Sequence, residues 1–201
     1  GLYALLAPST VTLTAEATPQ VYHLTDGTVV TLAPHSSVSY ASDDCRHVRL
    51  TGKAFFDIHH DSANPFTITD DRYTIRDIGT RLQVEETRTM TRLTVVEGAA
   101  SFGSTRAGGK AIALKAGMSA VLGNDDSMPR MDSRTDVNTT AWATHQFHFD
   151  DTPLQEVLAT LSRYYHVRLT ASDTGKRLTA DFDADDLDNI ISLVSQTLNV
   201  S

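Results

Sequence analysis

The sequence predicts a mainly β protein: a layered antiparallel β-sandwich or roll, followed by a small α+β module of order β-α-β-β-α. Two observations predict the β part. Short runs of alternating apolar residues recur through residues 21–123, and a turn glycine interrupts these runs, as in residues 21–32 and 93–102. Paired β-rich runs around such a turn are typical of hairpins and strand corners. A third observation, the change of apolar period after Trp142, predicts the helices of the module.

The strands of the front part are assigned from their turns. Asp26 and Gly27 lie between the runs VYHL and TVVTL, and a type I′ hairpin turn favours this dipeptide because both central residues need positive φ. Gly52 interrupts the long run 46–58 and predicts a bulge or a corner there. The same pattern predicts further strands in residues 74–84 and 113–122.

The module is assigned from two helical stripes and three short strands. The strands are expected at residues 147–149, 166–171 and 177–182. Residues 152–155 (TPLQ) have the form of a capping box with proline at the first helical position, and the apolar stripe that follows predicts a helix as far as Tyr165. Asp185 or Asp186 is expected to cap a second helix, whose apolar stripe covers residues 187–198.

These patterns divide the chain into four parts. Residues 1–20 are expected to be a membrane-proximal tether, residues 21–123 the all-β domain, residues 124–141 a polar linker, and residues 142–201 the α+β module. We expect the module to be cut short, because the chain ends where a closing strand would follow the second helix. Residues 1–8 are apolar, but they are far fewer than the ~20 residues that cross a bilayer.

The composition indicates a globular, acidic protein. Hydrophobic residues make up 40% of the chain and the formal net charge is −8, which excludes a disordered chain. The basic residues are scattered, whereas nucleic acids and anionic membrane surfaces attract a concentrated positive patch. We therefore expect no nucleic-acid partner. Cys45 is the only cysteine, so no internal disulfide can form, and a small filler near a strand edge is expected.

The sequence contains no pattern that indicates catalysis. Among the eight histidines, His145 and His148 are expected on opposite faces of a strand, and the adjacent His59 and His60 cannot easily converge on one ion. The acidic pairs lack the spacing of a calcium loop, and there is no nucleophile elbow or phosphate loop. We therefore expect a protein that is not an enzyme and has no catalytic, cofactor-binding or metal-binding residues.

Five phrases of the front part occur in the order and spacing of one known family. They are HLTDGTVVTLAPHSSVSY (23–40), RLTGKAFFDIHHDSANPFTI (49–68), IRDIGTRLQVE (75–85), LTVVEGAASF (93–102) and ALKAGMSAVL (113–122). This series resembles the periplasmic region of FecR-type anti-sigma factors and sigma regulators. Residues 147–169 (FHFDDTPLQEVLATLSRYYHVRL) then resemble the secretin/TonB short N-terminal domain, in the form found in Bacteroidetes-type members.

The resemblance implies that the chain is the periplasmic part of a single-pass inner-membrane protein. It implies that the N-terminal signalling domain of a TonB-dependent outer-membrane transporter binds this part. The signal would then pass to an extracytoplasmic-function sigma factor, which a cytoplasmic segment would bind. A transmembrane helix would join that segment to this chain, and residues 1–8 would be the exit of the helix from the membrane. Strand addition or helix packing is the expected contact between two small α+β modules. The candidate partner-binding residues are Leu178, Ala180 and Phe182, on an expected strand edge.

Two other classes of protein remain open at this point. A carbohydrate-binding β-sandwich of the cell envelope would stack a sugar on Trp142 or on surface aromatic residues. A cupin-like enzyme would need a metal-binding triad inside the β body. Exposed aromatic side chains would favour the first, and a converging set of metal ligands would favour the second.

Overall fold

The computed structural model describes residues 6–173 and 175–200. The chain forms two compact units, Gly1–Thr135 and Asp136–Ser201. Residues 1–5, which include most of the expected membrane-helix exit, lie outside the described residues. Over the described ranges, no helix combines the length and the apolar character that a membrane crossing needs.

The first unit is built from two seven-stranded sheets that face each other as a β-sandwich. The first sheet has the order β1-β4-β5-β7-β8-β11-β12 and the second has the order β14-β13-β10-β9-β6-β3-β2. The strands are β1 (Thr10–Thr14), β2 (Gln20–His23), β3 (Val29–Leu32), β4 (Ser37–Ala41), β5 (Asp44–Thr51), β6 (Lys53–Asp57), β7 (Phe66–Thr69), β8 (Tyr73–Asp77), β9 (Arg81–Glu86), β10 (Met90–Glu97), β11 (Ala99–Ser104), β12 (Ala111–Lys115), β13 (Ser119–Gly123) and β14 (Arg130–Met131). The predicted sandwich is confirmed.

Gly52 forms the corner predicted for it, and this corner explains the one parallel pair of the described sheets. The chain leaves β5 in one sheet and enters β6 in the other directly through Gly52, whose φ is +96°. A Cβ atom at this position would lie 2.5 Å from the hydroxyl oxygen of Ser36, so only glycine fits. Because β6 pairs in the opposite sheet, β7 returns beside β5 in parallel, with Val48 opposite Ile68.

The core lies between the two sheets and follows from the period-two alternation of their strands. Val30 and Leu32 project into it from the second sheet, and Ile68 and Ile75 project from the first, all of them fully buried. Burial of each such side chain contributes about 1.5–3 kcal/mol. Aromatic residues meet edge to face: the rings of Phe56 and Phe66 are 5.9 Å apart, and those of Tyr73 and Phe102 are 6.2 Å apart.

Two local predictions for the front part are corrected. Residues 10–14, expected within a tether, form β1, because Leu13 packs against the core and Val11 pairs opposite Tyr40 of β4. Threonine between these apolar residues favours a strand, although it gave the segment the composition of a linker. The hairpin at Asp26 is present, but only Gly27 has positive φ, so the turn is not type I′. The Asp26 carboxylate instead accepts the backbone N–H and the hydroxyl of Thr28.

The segment 124–141, expected to be a linker, is ordered by contacts with its neighbours. Strand β14 pairs with β13, and the Ser119 hydroxyl donates to the Asp132 carboxylate at 2.6 Å. A 3₁₀ helix, Val137–Thr140, follows in the second unit and is capped by Asp136. These bonds satisfy backbone groups that a solvated linker would leave to water.

The second unit is a two-stranded antiparallel sheet with helices packed on one face. After the 3₁₀ helix its elements are α1 (Ala141–Thr144), β15 (Gln146–Pro153), α2 (Leu154–Tyr165), β16 (Arg177–Asp183) and α3 (Leu187–Leu198). The two predicted helices are confirmed. Their apolar stripes bury Leu154, Val157 and Leu161 of α2 and Ile190 and Val194 of α3.

The strand predicted at residues 166–171 is wrong, and the described order from β15 onward is β-α-β-α. His166 ends α2 in the left-handed conformation, with φ of +55°. The backbone N–H of Leu169 then donates to the Ser162 hydroxyl at 3.2 Å and not to a strand. An apolar run of this length needs a neighbouring strand to become one, and these residues have none.

The capping predictions are confirmed for α3 and wrong for α2. Asp186 caps α3 and accepts the N–H of Asp188. No side chain caps α2, because the first free N–H, that of Leu154, donates to the carbonyl of Lys176 at 2.8 Å. The Thr152 hydroxyl turns back to Asp150, and Asp150 lies in β15 at a bulge.

Candidate interaction surface

The two-stranded sheet of the second unit has an apolar face and a polar face. Phe147 and Phe149 of β15 and Leu178 of β16 are buried against the helices. The alternate residues, which include His148 and Asp181, are exposed on the other face. A strand pair with one solvated face follows from the strict alternation of these residues.

The three candidate partner-binding side chains lie on the apolar face. Leu178 is only 1% exposed, and Ala180 and Phe182 are partly buried and pack against the same core. The Phe182 ring lies 5.4 Å from that of Phe147 and 5.8 Å from that of Phe149. Their part in partner binding stays a prediction. The strand that carries them offers a partner its backbone edge and its polar face.

The polar face is crossed by side-chain contacts between the two strands. His148 contacts Asp181, and the Arg177 guanidinium lies 2.9 Å from the Asp151 carboxylate. More than half of each of these side chains is exposed, so each pair contributes only about 0–1 kcal/mol. Sequence alone did not bring His148 and Asp181 together, because the register of two strands separated by a helix is a long-range property.

The second unit carries most of the net negative charge of the protein. Residues 136–201 contain ten Asp or Glu and four Lys or Arg, against a formal net charge of −8 for the whole chain. An acidic surface speeds the approach of cationic partners and repels anionic ones, and the effect weakens with salt.

A buried arginine joins two loops of the first unit. The Arg46 Nη1 atom lies 2.6 Å from the Asp26 carboxylate and donates to the carbonyl of His59, and Nε donates to the carbonyl of Asn64. The guanidinium also stands 5.5 Å from the centre of the Phe66 ring. Burial would raise the pKa of Asp26, but the Thr28 bonds and the Arg46 charge outweigh it and lower that pKa.

Asp77 is a buried carboxyl that was not among the residues predicted from the sequence. Strand register puts it opposite Phe66, whose ring also contacts the Arg46 guanidinium. Neither carboxylate oxygen has a hydrogen-bond partner, and burial raises its pKa, although the N–H groups of Gly79 and Ile78 and the Arg46 charge act against that rise. Alternation from Tyr73 through Ile75 was the available signal, since it turns residue 77 inward.

The residues considered for chemistry do not converge. In the ranges that the structure describes, no group of three His, Cys, Asp or Glu side chains could hold a metal ion. Trp142 is partly buried in α1, and every described Phe, Tyr and Trp side chain is at least partly buried. The described surface therefore offers neither the ligand set that a cupin-like enzyme needs nor the open aromatic face that sugar stacking needs. Cys45 lies in β5, partly buried, as a free thiol.

The chain thus combines a β-sandwich with a small α+β module whose two-stranded sheet has one exposed face. Two family models match the chain in sequence order, "FecR protein" over residues 10–101 and "FecR, C-terminal" over residues 146–201. Together the matches take in most of the chain, which belongs to the FecR family of anti-sigma factors and sigma regulators. This is a regulatory, non-enzymatic family of membrane-anchored proteins.

Two solved structures share the fold. Both are crystal structures of a "putative anti-sigma factor" from Parabacteroides distasonis ATCC 8503, at 1.65 Å and 2.50 Å resolution. The first is 18% identical, covers 93% of this chain and 91% of its own, and has a TM-score of 0.60. The second is 17% identical, covers 94% and 92%, and has a TM-score of 0.61. No match was found among curated proteins.

Proposed function

We propose that this chain is the periplasmic part of a single-pass inner-membrane regulator that relays a signal from a TonB-dependent outer-membrane transporter. The observation that carries the proposal is the order of the two family matches, a FecR sandwich followed by a FecR C-terminal module. In this relay the transporter presents its N-terminal signalling domain to the module. The signal then passes through a transmembrane helix to a cytoplasmic segment that binds an extracytoplasmic-function sigma factor.

The second unit is the part to which we assign the transporter contact. In this proposal the unit is similar to the short N-terminal domain of secretins and TonB-dependent transporters, so that two small α+β modules would meet in the relay. Such modules associate through strand addition or helix packing, and the edge of a two-stranded sheet can accept a further strand. The first unit buries its aliphatic residues between two sheets and serves in this proposal as the body that supports the module.

Binding between purified proteins tests the proposal. Residues 1–201 are titrated by calorimetry with the N-terminal signalling domains of the transporters encoded in the same genome. We expect one domain to bind with saturable 1:1 stoichiometry and the others not to bind. A signalling domain whose transporter gene lies far from the regulator gene is the matched control. The relay is contradicted if no domain binds while each protein is folded by circular dichroism.

A further inference from the structure

Two contacts determine which backbone N–H and C=O groups of β15 and β16 face the partner strand and which point away from it. In antiparallel strands, residues that bond across the pair alternate with residues whose N–H and C=O point away. The N–H of Ala184 donates to the carbonyl of His145 at 2.7 Å, so this pair bonds across. Two steps along, Phe182 and Phe147 bond across as well. His148 therefore points away from β16, and Asn138 confirms it by bonding both the N–H and the C=O of His148 at 2.8 Å.

Side chains close the outer edge of β15. The outward N–H of His148 donates to the Asn138 amide oxygen, and that of Gln146 donates to the Thr144 hydroxyl. The outward N–H of Asp150 donates to the hydroxyl of Thr152. Because each of these donors already has a partner, an added strand would gain no hydrogen bond from them.

The outer edge of β16 is open. The same register turns the N–H and C=O groups of Thr179, Asp181 and Asp183 away from β15. Strand β16 pairs with β15 alone, and no turn or loop carbonyl of the described residues accepts the N–H of any of these three residues. The sheet therefore has one closed edge and one edge with a row of free donors, which is a template for a third strand.

The charged side chains beside the β16 edge determine which kind of added strand is favoured. Asp181 and Asp183 are exposed on the polar face, directly beside the open edge. A second copy of β16, added antiparallel about Asp181, would put Asp181 opposite Asp181, and like charges across a strand pair are destabilising. The surrounding unit is acidic, with ten negative against four positive residues. The edge therefore repels its own copy in this register, and its acidic surroundings favour a cationic strand.

We propose that the β16 edge binds an extended segment of a partner protein that carries Lys or Arg at every second residue. The segment adds as a third strand, its backbone bonds the groups of Thr179, Asp181 and Asp183, and its cations lie beside the two aspartates. The partner's own identity rests on the proposed function, in which the segment belongs to the transporter signalling domain. The predicted contact therefore no longer involves the side chains of Leu178, Ala180 and Phe182. It involves the backbone groups of the residues that alternate with them in β16.

The test uses the whole chain and a labelled peptide, Thr-Lys-Val-Lys-Val-Lys-Thr, followed by fluorescence anisotropy. Asp181→Pro removes an outward N–H that has no partner, so the strand pair keeps its own bonds. Asp181→Asn removes the charge and keeps the N–H, and Asp188→Asn removes an exposed charge of α3. We expect Asp188→Asn to bind like the wild type, Asp181→Asn to bind a few-fold more weakly, and Asp181→Pro to bind about tenfold more weakly than Asp181→Asn.

Further measurements separate strand addition from other binding. Peptide addition is expected to slow amide hydrogen exchange at Thr179 and Asp183, and a peptide with Glu in place of Lys is expected not to bind. Equal binding by Asp181→Pro and Asp181→Asn overturns the proposal, as does binding of the Glu peptide. The proposal is also overturned if sedimentation shows that the wild type forms a dimer and that Asp181→Pro does not. If Asp181→Pro fails to fold by circular dichroism, Thr179→Pro with Thr179→Ala as its control takes its place.

The same variants separate this inference from the proposed function. If a transporter signalling domain binds wild type and Asp181→Pro equally, the proposed relay is supported and the proposed strand addition at the β16 edge is overturned. If the Lys peptide follows the expected order of affinities and no signalling domain binds, the edge stands and the relay is contradicted.

Discussion

Replacement of Arg46 by Met tests whether the buried guanidinium holds the two loops of the sandwich together. The substitution keeps an unbranched stem, which reaches about as far as the Arg46 Nε atom, and removes the guanidinium. It removes the bond to Asp26 and the bonds to the carbonyls of His59 and Asn64. The Arg46 side chain is 9% exposed and the Asp26 side chain 14%, so this is a buried ion pair.

The expected cost is worked from that burial. Removal of one partner from a buried pair costs about 3–5 kcal/mol. Asp26 keeps its two bonds to Thr28, which places Arg46→Met near the lower end, at about 3 kcal/mol. Arg49→Met is the matched control, because Arg49 lies on the same strand and contacts Asp71 with a side chain that is 51% exposed. The control is expected to cost less than about 1 kcal/mol.

Urea unfolding followed by far-ultraviolet circular dichroism measures both variants. We expect the midpoint of the β transition to fall clearly for Arg46→Met and to stay within error of wild type for Arg49→Met, with unchanged slopes. Adding Asp26→Asn should cost much less in the Arg46→Met background than in wild type, since the two residues interact. Equal losses for the two arginine variants would refute the assignment of stability to the buried pair.

Three further predictions concern single positions. Burial raises the pKa of Asp77, so the folded protein holds that proton more tightly than the unfolded chain, and stability is lost as pH rises above the ordinary value of 3.8 through the raised pKa. Asp77→Asn should therefore be more stable than wild type by about 1 kcal/mol at pH 7. This difference in stability should disappear below pH 3.8. A difference in thermal unfolding that does not change with pH would contradict the prediction. Gly52→Ala should cost about 2–4 kcal/mol in urea unfolding, because its Cβ meets Ser36 at positive φ; a loss below about 1 kcal/mol would show that the corner can relax. Asp186→Ala should cost about 1 kcal/mol by removal of the α3 cap, whereas Asp188→Ala should cost less, and the opposite order in thermal unfolding would rule out the cap.

Local patterns predicted the β-sandwich because each strand buries every second residue, and the sequence repeats this alternation between turn glycines. The corner at Gly52 and the cap at Asp186 were also predictable, since each depends on residues within a few positions. Strand β1 was missed because its threonines look like a linker until β4 pairs with it. The expected strand at residues 166–171 was wrong because no neighbouring strand stands beside it.

The site was predicted less well than the fold, for the same physical reason. Alternation places Leu178, Ala180 and Phe182 on one face, but it does not say whether that face is solvated. Helices α2 and α3 cover it, so the three side chains belong to the core of the unit. Asp77 was predictable, because the alternation of Tyr73 and Ile75, extended by one step, turns residue 77 inward.

The sequence by itself determined which residues share a face, because period and φ preference are local properties of the chain. The tertiary structure decided which strand edge stays open and which charges meet. Asn138 closes β15 only because the 3₁₀ helix packs beside His148, and Asp181 reaches His148 from 33 positions away. Arg46 and Asp26, 20 positions apart, meet only after two loops fold together. Such contacts depend on register and packing between distant segments, which no local pattern encodes.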